Sequence, residues 1–444
     1  MSALLERPLR RIQDLLPDLI DPKIGIVRFV VEHPTDVGAP QLFRYVARTA
    51  DTRAFGCVQN FSSSGGAALE RNDAIVKAIG EGLERYSAAI YQKEDFPLST
   101  YRNATFTCTH PSEFSIYDND QFNKPGFMFH PFLETTPARW VAAENIVTGS
   151  STHVPAGLVY VPYHYTKNEV EVPLAQPIST GLACHCSQEE AIIGGLCEVI
   201  ERDAFTITWQ AELTRPNIRL SSLSPQNQDL VERYQCVGYD VHLIDITSDT
   251  GVATVMAVLR GKTADSLPIA VSSSADLDPE DAVKKALEEL AHTERHSVQL
   301  MHELPRLDEV DNYTNVNSQS AHLNFWCSHH RVHLTDFLIR SEHSIDFKQL
   351  PKLSSGDVSA DLKKLASNIA STGHQPLFVD VTSEDLSQLG LSVVRALIPG
   401  FHPLIMGHQL RALGGKRLWH LPQKLGFAGR TRAEGDYPYP HPFP

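Results

Sequence analysis

The chain is predicted to fold as an α+β protein, a mixed helix and sheet fold with its chemistry placed between acidic helices. Three observations predict this. Three helical segments each carry an apolar stripe on one side and charged residues on the other. Runs rich in Val, Ile and Tyr lie between them. No fixed-period repeat and no low-complexity linker divides the 444 residues.

Taken in order, Met1 to Ile20 reads as an amphipathic helix through Leu4, Leu5, Leu15, Leu16 and Leu19. Arg7, Arg10, Arg11, Asp14 and Asp18 interrupt every apolar run there, so it is no secretory signal. Gly25 to Glu32 reads as the first strand. Ser62 to Gly66 is a Ser- and Gly-rich stretch that reads as an ordinary turn or as a loop offering backbone N–H groups to phosphate.

The first acidic helix spans about Asp73 to Tyr91, with Ile75, Ile79, Leu83 and Tyr86 facing the core. Glu81, Glu84 and Arg85 fall on a separate stripe. Leu158 to Pro162 reads as a strand. The second acidic helix spans about Gln188 to Gln210, and Ser187 with Glu190 has capping-box spacing at its start. Glu190, Glu198, Glu201 and Arg202 share one side of it; Ile192, Leu196, Val199 and Ile200 take the other. Val241 to Asp245 and Val252 to Leu259 read as strands. Asp278-Pro279 starts the third helix, which runs to about Met301 and puts Lys285, Glu289 and His292 on one face and Val283, Leu287 and Leu290 on the other. The stretch Cys327-Ser-His-His-Arg-Val-His333 holds four metal-ligand types, Cys327, His329, His330 and His333, but reads as a polar loop before a helix.

Bulk properties narrow the function. A net charge of −14, from 53 acidic against 39 basic residues, argues against a nucleic-acid binder. No apolar run is long enough to span a membrane. Seven scattered cysteines with no CxxC pair point to reduced thiols in the cytoplasm.

Helix faces bearing Glu and Arg are usually solvated surface. Here the pattern is duplicated: Glu81-Gly-Leu-Glu84-Arg85 and Glu198-Val-Ile-Glu201-Arg202 share the form ExxER. Were the helices to converge, Glu81, Glu84, Glu198, Glu201 and Glu289 would crowd together and require a cation. Hard oxygen ligands suit Mg2+, and Mg2+ on carboxylates goes with a polyphosphate, to which Arg85, Arg202 and Lys285 would donate. A di-iron bundle would need two Glu-x-x-His pairs, and only Glu289 with His292 fits. A glycosidase leaves most of the carboxylates unexplained.

These residues resemble the YcaO family. The resemblance lies in the two ExxER helices, in Ser179-Thr180-Gly181-Leu182-Ala183 leading into Glu190, in the Lys285-Ala-Leu-Glu-Glu289 segment and in Val393-Val-Arg-Ala-Leu-Ile-Pro-Gly400. The terminus Pro438-Tyr-Pro440-His-Pro442-Phe-Pro444 is similar to that of the azoline-forming, streptolysin-type branch. The resemblance implies an ATP-dependent cyclodehydratase that forms thiazoline or oxazoline rings from Cys, Ser or Thr of a ribosomal precursor peptide. A substrate thiol or hydroxyl attacks the preceding amide carbonyl, the oxyanion takes the γ-phosphate of ATP, and phosphate departs with the amide oxygen.

It implies Mg2+ held by Glu81, Glu84, Glu198, Glu201 and Glu289, with Glu190 matching a further glutamate of the ATP site. Arg85, Arg202, Lys285 and, at a weaker match, Lys23 would contact nucleotide. The tail, Pro440, Pro442 and Pro444, would bring the terminal carboxylate to the reaction. The sequence departs from the pattern at Lys77, where Ser is usual, at Gly65-Gly66-Ala67, at Ala183-Cys184-His185 and at His292, where Gln is common.

The expected organisation is an N-terminal helix and first strand in residues 1–50, an ATP-binding core in 51–430 and a proline-rich tail in 431–444. Expected partners are a precursor peptide, a separate leader-peptide-binding protein, a second copy of the chain, and a flavin dehydrogenase that oxidises azolines. The rival readings are a thioamide- or amidine-forming relative and a non-catalytic docking scaffold of a maturation complex.

Overall fold

The computed structural model describes residues 12–36, 38–56, 58–166 and 170–444. In chain order its strands are β1 (Val27–Glu32), β2 (Phe43–Thr49), β3 (Ser63–Ala68), β4 (Leu98–Ser99), β5 (Ala138–Asn145), β6 (Ser151–Pro155), β7 (Leu182–His185), β8 (Asn217–Ile218), β9 (Tyr239–Asp245), β10 (Ala253–Gly261), β11 (Ile269–Asp276), β12 (Ser344–Ile345), β13 (Leu377–Asp380) and β14 (Ser392–Leu397). Setting shorter helical turns aside, the helices are α1 (Arg71–Ser87), α2 (Gln188–Gln210), α3 (Pro225–Gln235), α4 (Pro279–Glu303), α5 (Val358–Ser371) and α6 (Lys416–Lys424).

The strands form three sheets: β1-β2-β3, β11-β10-β9-β8-β12, and β4-β5-β13-β14-β7 with β6 on β5. Each long acidic helix spans two of them. Helix α1 packs on β2 and β3 of the first sheet and on β7 and β14 of the third; α2 packs on β7 and β14 of the third and on β11 of the second; α4 packs on β10 and β11 of the second and on β3 of the first. The three helices therefore close a ring, and the stripes not buried on sheets face one another.

Side-chain caps set where two of the acidic helices begin. Ser187 accepts the Glu190 N–H at 3.2 Å at the start of α2. Asp278 accepts the Glu280 N–H at 3.2 Å at the start of α4, with Pro279 in the first turn. The apolar stripes are buried as their periodicity requires: Ile79 and Leu83 of α1, Leu196 and Ile200 of α2, and Val283, Leu287 and Leu290 of α4 are all 0% exposed. Gly195 lets α2 press against the third sheet, because a Cβ there would lie 2.6 Å from the Gly181 carbonyl oxygen and 2.8 Å from the Ala396 Cβ.

Several expectations need correction. Leu158 to Pro162 is no strand: Ala156–Leu158 is a 3-10 turn, Tyr160 N–H returns to the Ala156 carbonyl at 3.1 Å, and Val161 N–H bonds the Ala88 carbonyl at 3.1 Å. Its apolar character comes from packing, with Tyr160 against Tyr91 at a centroid distance of 4.7 Å. Ser62 to Gly66 is no turn: Ser63 onward is β3, paired antiparallel with β2. The first 50 residues supply two strands, β1 and β2, and β3 completes that sheet from beyond residue 50. The first helix ends at Ser87. Of the N-terminal helix, Leu4 and Leu5 lie outside the described residues, while Leu16–Leu19 is a short helix with Leu19 buried. Cys57 also lies outside them; the other six cysteines are free thiols. The Cys327–His333 side chains diverge: the Cys327 thiol donates to the Ser297 carbonyl at 3.4 Å, and His329 Nε2 meets the Ser266 carbonyl at 3.0 Å. Among the described residues no helix is long and apolar enough to cross a membrane.

Candidate active site

The ring brings Glu81 and Glu84 of α1, Glu198 and Glu201 of α2, and Glu289 of α4 to one cleft, and each is held differently. Glu81 accepts the Gly65 N–H at 2.8 Å and pairs with Arg85 at 2.5 Å. Glu84 accepts the Cys184 N–H from β7 at 2.9 Å. Glu198 accepts the Gly181 N–H at 2.8 Å. Glu201 accepts from the Ser273 hydroxyl of β11 at 2.9 Å. Thus every sheet anchors at least one carboxylate: β3 holds Glu81, β11 holds Glu201, and β7 with the Gly181 turn before it holds Glu84 and Glu198.

Arg202 is the hub. It pairs with Glu198 at 3.3 Å, forms a short ion pair with Glu201, and lies within electrostatic reach of Glu289 and Glu81. These four carboxylates hold its guanidinium above its usual pKa, although burial opposes the charge.

The carboxylates are destabilised as anions. Burial, then the charges of Glu198 and Glu81, pushes Glu84 well above the usual range. Burial pushes Glu201 up to about 8 against the pull of Arg202, with Glu289 and Glu198 adding to the rise. Glu289 is raised by the surrounding protein yet is exposed to solvent, as expected of a group on a cleft wall. Among the described residues no three Asp, Glu, His or Cys side chains form a ready cage for a metal. Mg2+ needs no such cage, since it keeps several waters and binds through one or two carboxylates plus phosphate oxygens. Two buried nitrogens beside the ring, His185 Nδ1 and His292 Nε2, have no partner, and burial lowers both imidazoles to about 4. Hard oxygens, raised carboxyl pKa values and flanking guanidinium groups therefore fit a metal-bound polyphosphate.

The remaining expected contacts fall in different places. Lys285 is bound to Asp276 at 2.6 Å. Glu190 closes the start of α2, its carboxylate accepting from the Ser187 hydroxyl at 2.7 Å. It stands eight residues before Glu198, about 12 Å along the helix axis. Lys23 sits on an exposed turn, its N–H on the Asp21 carboxylate at 2.7 Å. The departures are accommodated: Lys77 is neutralised by the buried Glu288 at 2.5 Å, and the His292 ring packs under Gly65.

The proline tail is docked. Phe443 is 1% exposed, lies 4.5 Å from the Phe205 ring, and takes the Arg202 guanidinium on its face at 4.6 Å. Trp326 Nε1 donates to the Pro440 carbonyl at 3.0 Å, and Trp209 Nε1 to the Tyr439 carbonyl at 3.0 Å. Sequence reasoning singled out the prolines; the aromatic residue between the last two makes the contact with Arg202. A lone Phe in an otherwise proline-alternating terminus was the available signal.

Acidic helices closing on a guanidinium hub define a class of protein built to hold a metal-bound polyphosphate. The chain belongs to the YcaO cyclodehydratase family, described as ATP- and Mg2+-binding, whose match covers residues 65–402. An uncharacterised protein of Methanothermobacter thermautotrophicus is 28% identical over 88% of this chain and 94% of its own length. A heterocyclase in complex with substrate and cofactor shares the fold with a TM-score of 0.80 at 23% identity; the match takes in 98% of this chain, which spans only 57% of that one. YcaO from Methanopyrus kandleri, bound with AMPPCP and Mg2+, shares it with a TM-score of 0.64 at 20% identity, over 93% of this chain and 95% of that one.

Proposed function

We propose that this protein is the ATP-dependent, azoline-forming component of a peptide cyclodehydratase, working on Cys, Ser or Thr of a ribosomal precursor peptide. The observation that carries the reading is the docking of the proline tail on the second ExxER helix, Phe443 against Arg202. The contact of Phe443 with Arg202 supports a role for the neighbouring Pro444 where amide and ATP would meet.

In this reading Glu81, Glu84, Glu198, Glu201 and Glu289 hold Mg2+, and Arg202 and Arg85 orient the phosphates. ATP with its metal supplies the electrophilic phosphoryl group when bound. The protein's own task is positioning and charge neutralisation. Arg202 is kept in place by Phe443 and two glutamates, Glu84 and Glu201 give up protons as positive charge arrives, and the sheet-anchored backbone amides fix the carboxylates. Pro440 and Pro442 keep the tail extended, so the Pro444 carboxylate acts as a positioning group or base. Lys285, Lys23 and Glu190 have peripheral roles, Lys285 through its pairing with Asp276.

A separate leader-binding protein would recruit the precursor, the chain would work as a homodimer in the cytoplasm, and a flavin dehydrogenase would follow where azoles are made, as in bacteriocin-type products. The test is incubation of the chain with partner, precursor, ATP and Mg2+. Loss of one water per ring, with one phosphate released, is expected. Exchange of oxygen for sulfur would show a thioamide former instead, and an unmodified peptide would favour a scaffold.

A further inference from the structure

Arg202 also borders a cavity of about 280 Å3. Its walls are largely apolar, with Leu158, Val199 and Leu397 among them. Three buried polar groups interrupt those walls; Arg417 is paired with Asp203 at 2.7 Å and Asp249 at 2.9 Å, and the other two keep an unpaired atom. Arg395, in the middle of the apolar strand β14, is 4% exposed; its Nη1 donates to the Ile178 carbonyl at 2.7 Å, its Nε has no partner, and among the described residues no ion pair neutralises it. Burial lowers its pKa only to about 10, with the charge of Glu198 opposing, so it is a cation at neutral pH. His402 is 2% exposed; its Nε2 is bonded to Gln210 Oε1 at 2.5 Å and its Nδ1 has no partner.

The two unpaired atoms are opposite in kind. With Nε2–H donated to the Gln210 oxygen, His402 Nδ1 carries a lone pair and can only accept. Burial holds this imidazole at a pKa of about 4, so it stays neutral. Arg395 can only donate. Gly415 keeps the acceptor open, since a Cβ there would lie 3.0 Å from His402 Nδ1. A buried donor and a buried acceptor left unpaired each cost free energy, which a ligand pairing both would recover.

From this geometry we infer that the cavity is the seat of the peptide backbone, Arg395 donating to an amide carbonyl oxygen and His402 Nδ1 accepting an amide N–H. A secondary amide offers both groups at once, a carbonyl oxygen and an N–H. Apolar walls suit small side chains beside them. Since Arg202 lines both this cavity and the carboxylate cleft, an amide seated here stands next to the phosphate side. The inference rests on the proposed cyclodehydratase reading for its purpose, but not for its binding chemistry.

The experiment uses the full chain without nucleotide or metal, with N-acetyl-glycyl-cysteine methylamide as probe, its affinity read by ligand-observed NMR. The wild type is expected to bind at millimolar concentration, and Arg395→Met and Gly415→Ala to weaken binding by about tenfold, the worth of one hydrogen bond to a charged or buried group. Methylating the cysteine amide nitrogen of the probe is expected to weaken binding to wild type and to leave binding to Gly415→Ala unchanged. Should Arg395→Met fail to fold, Gly415→Ala, whose backbone lies in a region open to alanine, carries the test alone. No binding to wild type, equal binding to the variants, or an equal methylation penalty in Gly415→Ala overturns the inference. Mg·ATP is titrated into the same proteins: peptide binding that follows this pattern while Mg·ATP binds none of them would sink the cyclodehydratase reading and leave this one standing.

Discussion

The ring of Phe443 lies on the guanidinium of Arg202, centroid to Cζ 4.6 Å, so the second-last residue of the chain touches the hub of the acidic cleft. A cation–π contact of this kind is worth about 0.5–2 kcal/mol. Phe443→Ala is therefore expected to slow peptide dehydration by about 3- to 30-fold, with Mg·ATP affinity much less affected. Removing residues 441–444 should abolish dehydration. Rates within twofold of wild type for the truncated chain would remove the tail from the mechanism.

Proton linkage gives the second prediction. Glu201 rises to about 8 and Glu84 rises well above its usual range in the fold. Between the ordinary glutamate value and about 8 the folded chain holds protons that the unfolded chain has lost. Stability of the metal-free protein should accordingly fall as pH rises through that window. Mg·ATP displaces those protons, so its affinity should increase with pH over the same range. The check is thermal unfolding at pH 6 and pH 8.5 with and without Mg·ATP; the ligand-induced rise in Tm is expected to be larger at pH 8.5, and a larger rise at pH 6 contradicts the assignment.

Lys77 offers a third. It neutralises Glu288, which is 1% exposed, at 2.5 Å. Lys77→Ser would leave a buried carboxylate with the Leu69 N–H at 3.1 Å and a distant Lys284 at 4.0 Å. A loss of about 1–3 kcal/mol is expected from the uncompensated group, and Glu288→Gln in the same chain should restore most of it. Chemical denaturation of the single and double variants measures both, and a double variant no more stable than Lys77→Ser would contradict the pairing.

How much of this was legible in the sequence follows from periodicity. The three acidic helices were readable because both stripes recur at helical spacing, and Ser187 and Asp278-Pro279 marked two of their starts. The strand at Leu158 to Pro162 was misread because an apolar run records burial, and here the burial is in an aromatic cluster with locally satisfied backbone. Gly65 and Gly66 looked like a loop because composition does not show that a strand is pressed against a helix: a Cβ on Gly66 would lie 2.2 Å from the Ala74 carbonyl oxygen. Convergence of the stripes on Arg202 needed three sheets to close a ring, which no local pattern encodes. Arg395 did leave a trace, a charge inside the apolar run Val393 to Ile398, and His402 left none.

The most direct test of the central claim, that α1, α2 and α4 close around a metal-bound ATP, is calorimetric titration of ATP into the purified chain with and without Mg2+, beside Glu198→Gln. The account predicts binding that depends on Mg2+ and weakens by at least about tenfold, roughly 1.4 kcal/mol, in the variant. Binding that ignores Mg2+, or that Glu198→Gln leaves unchanged, would contradict it.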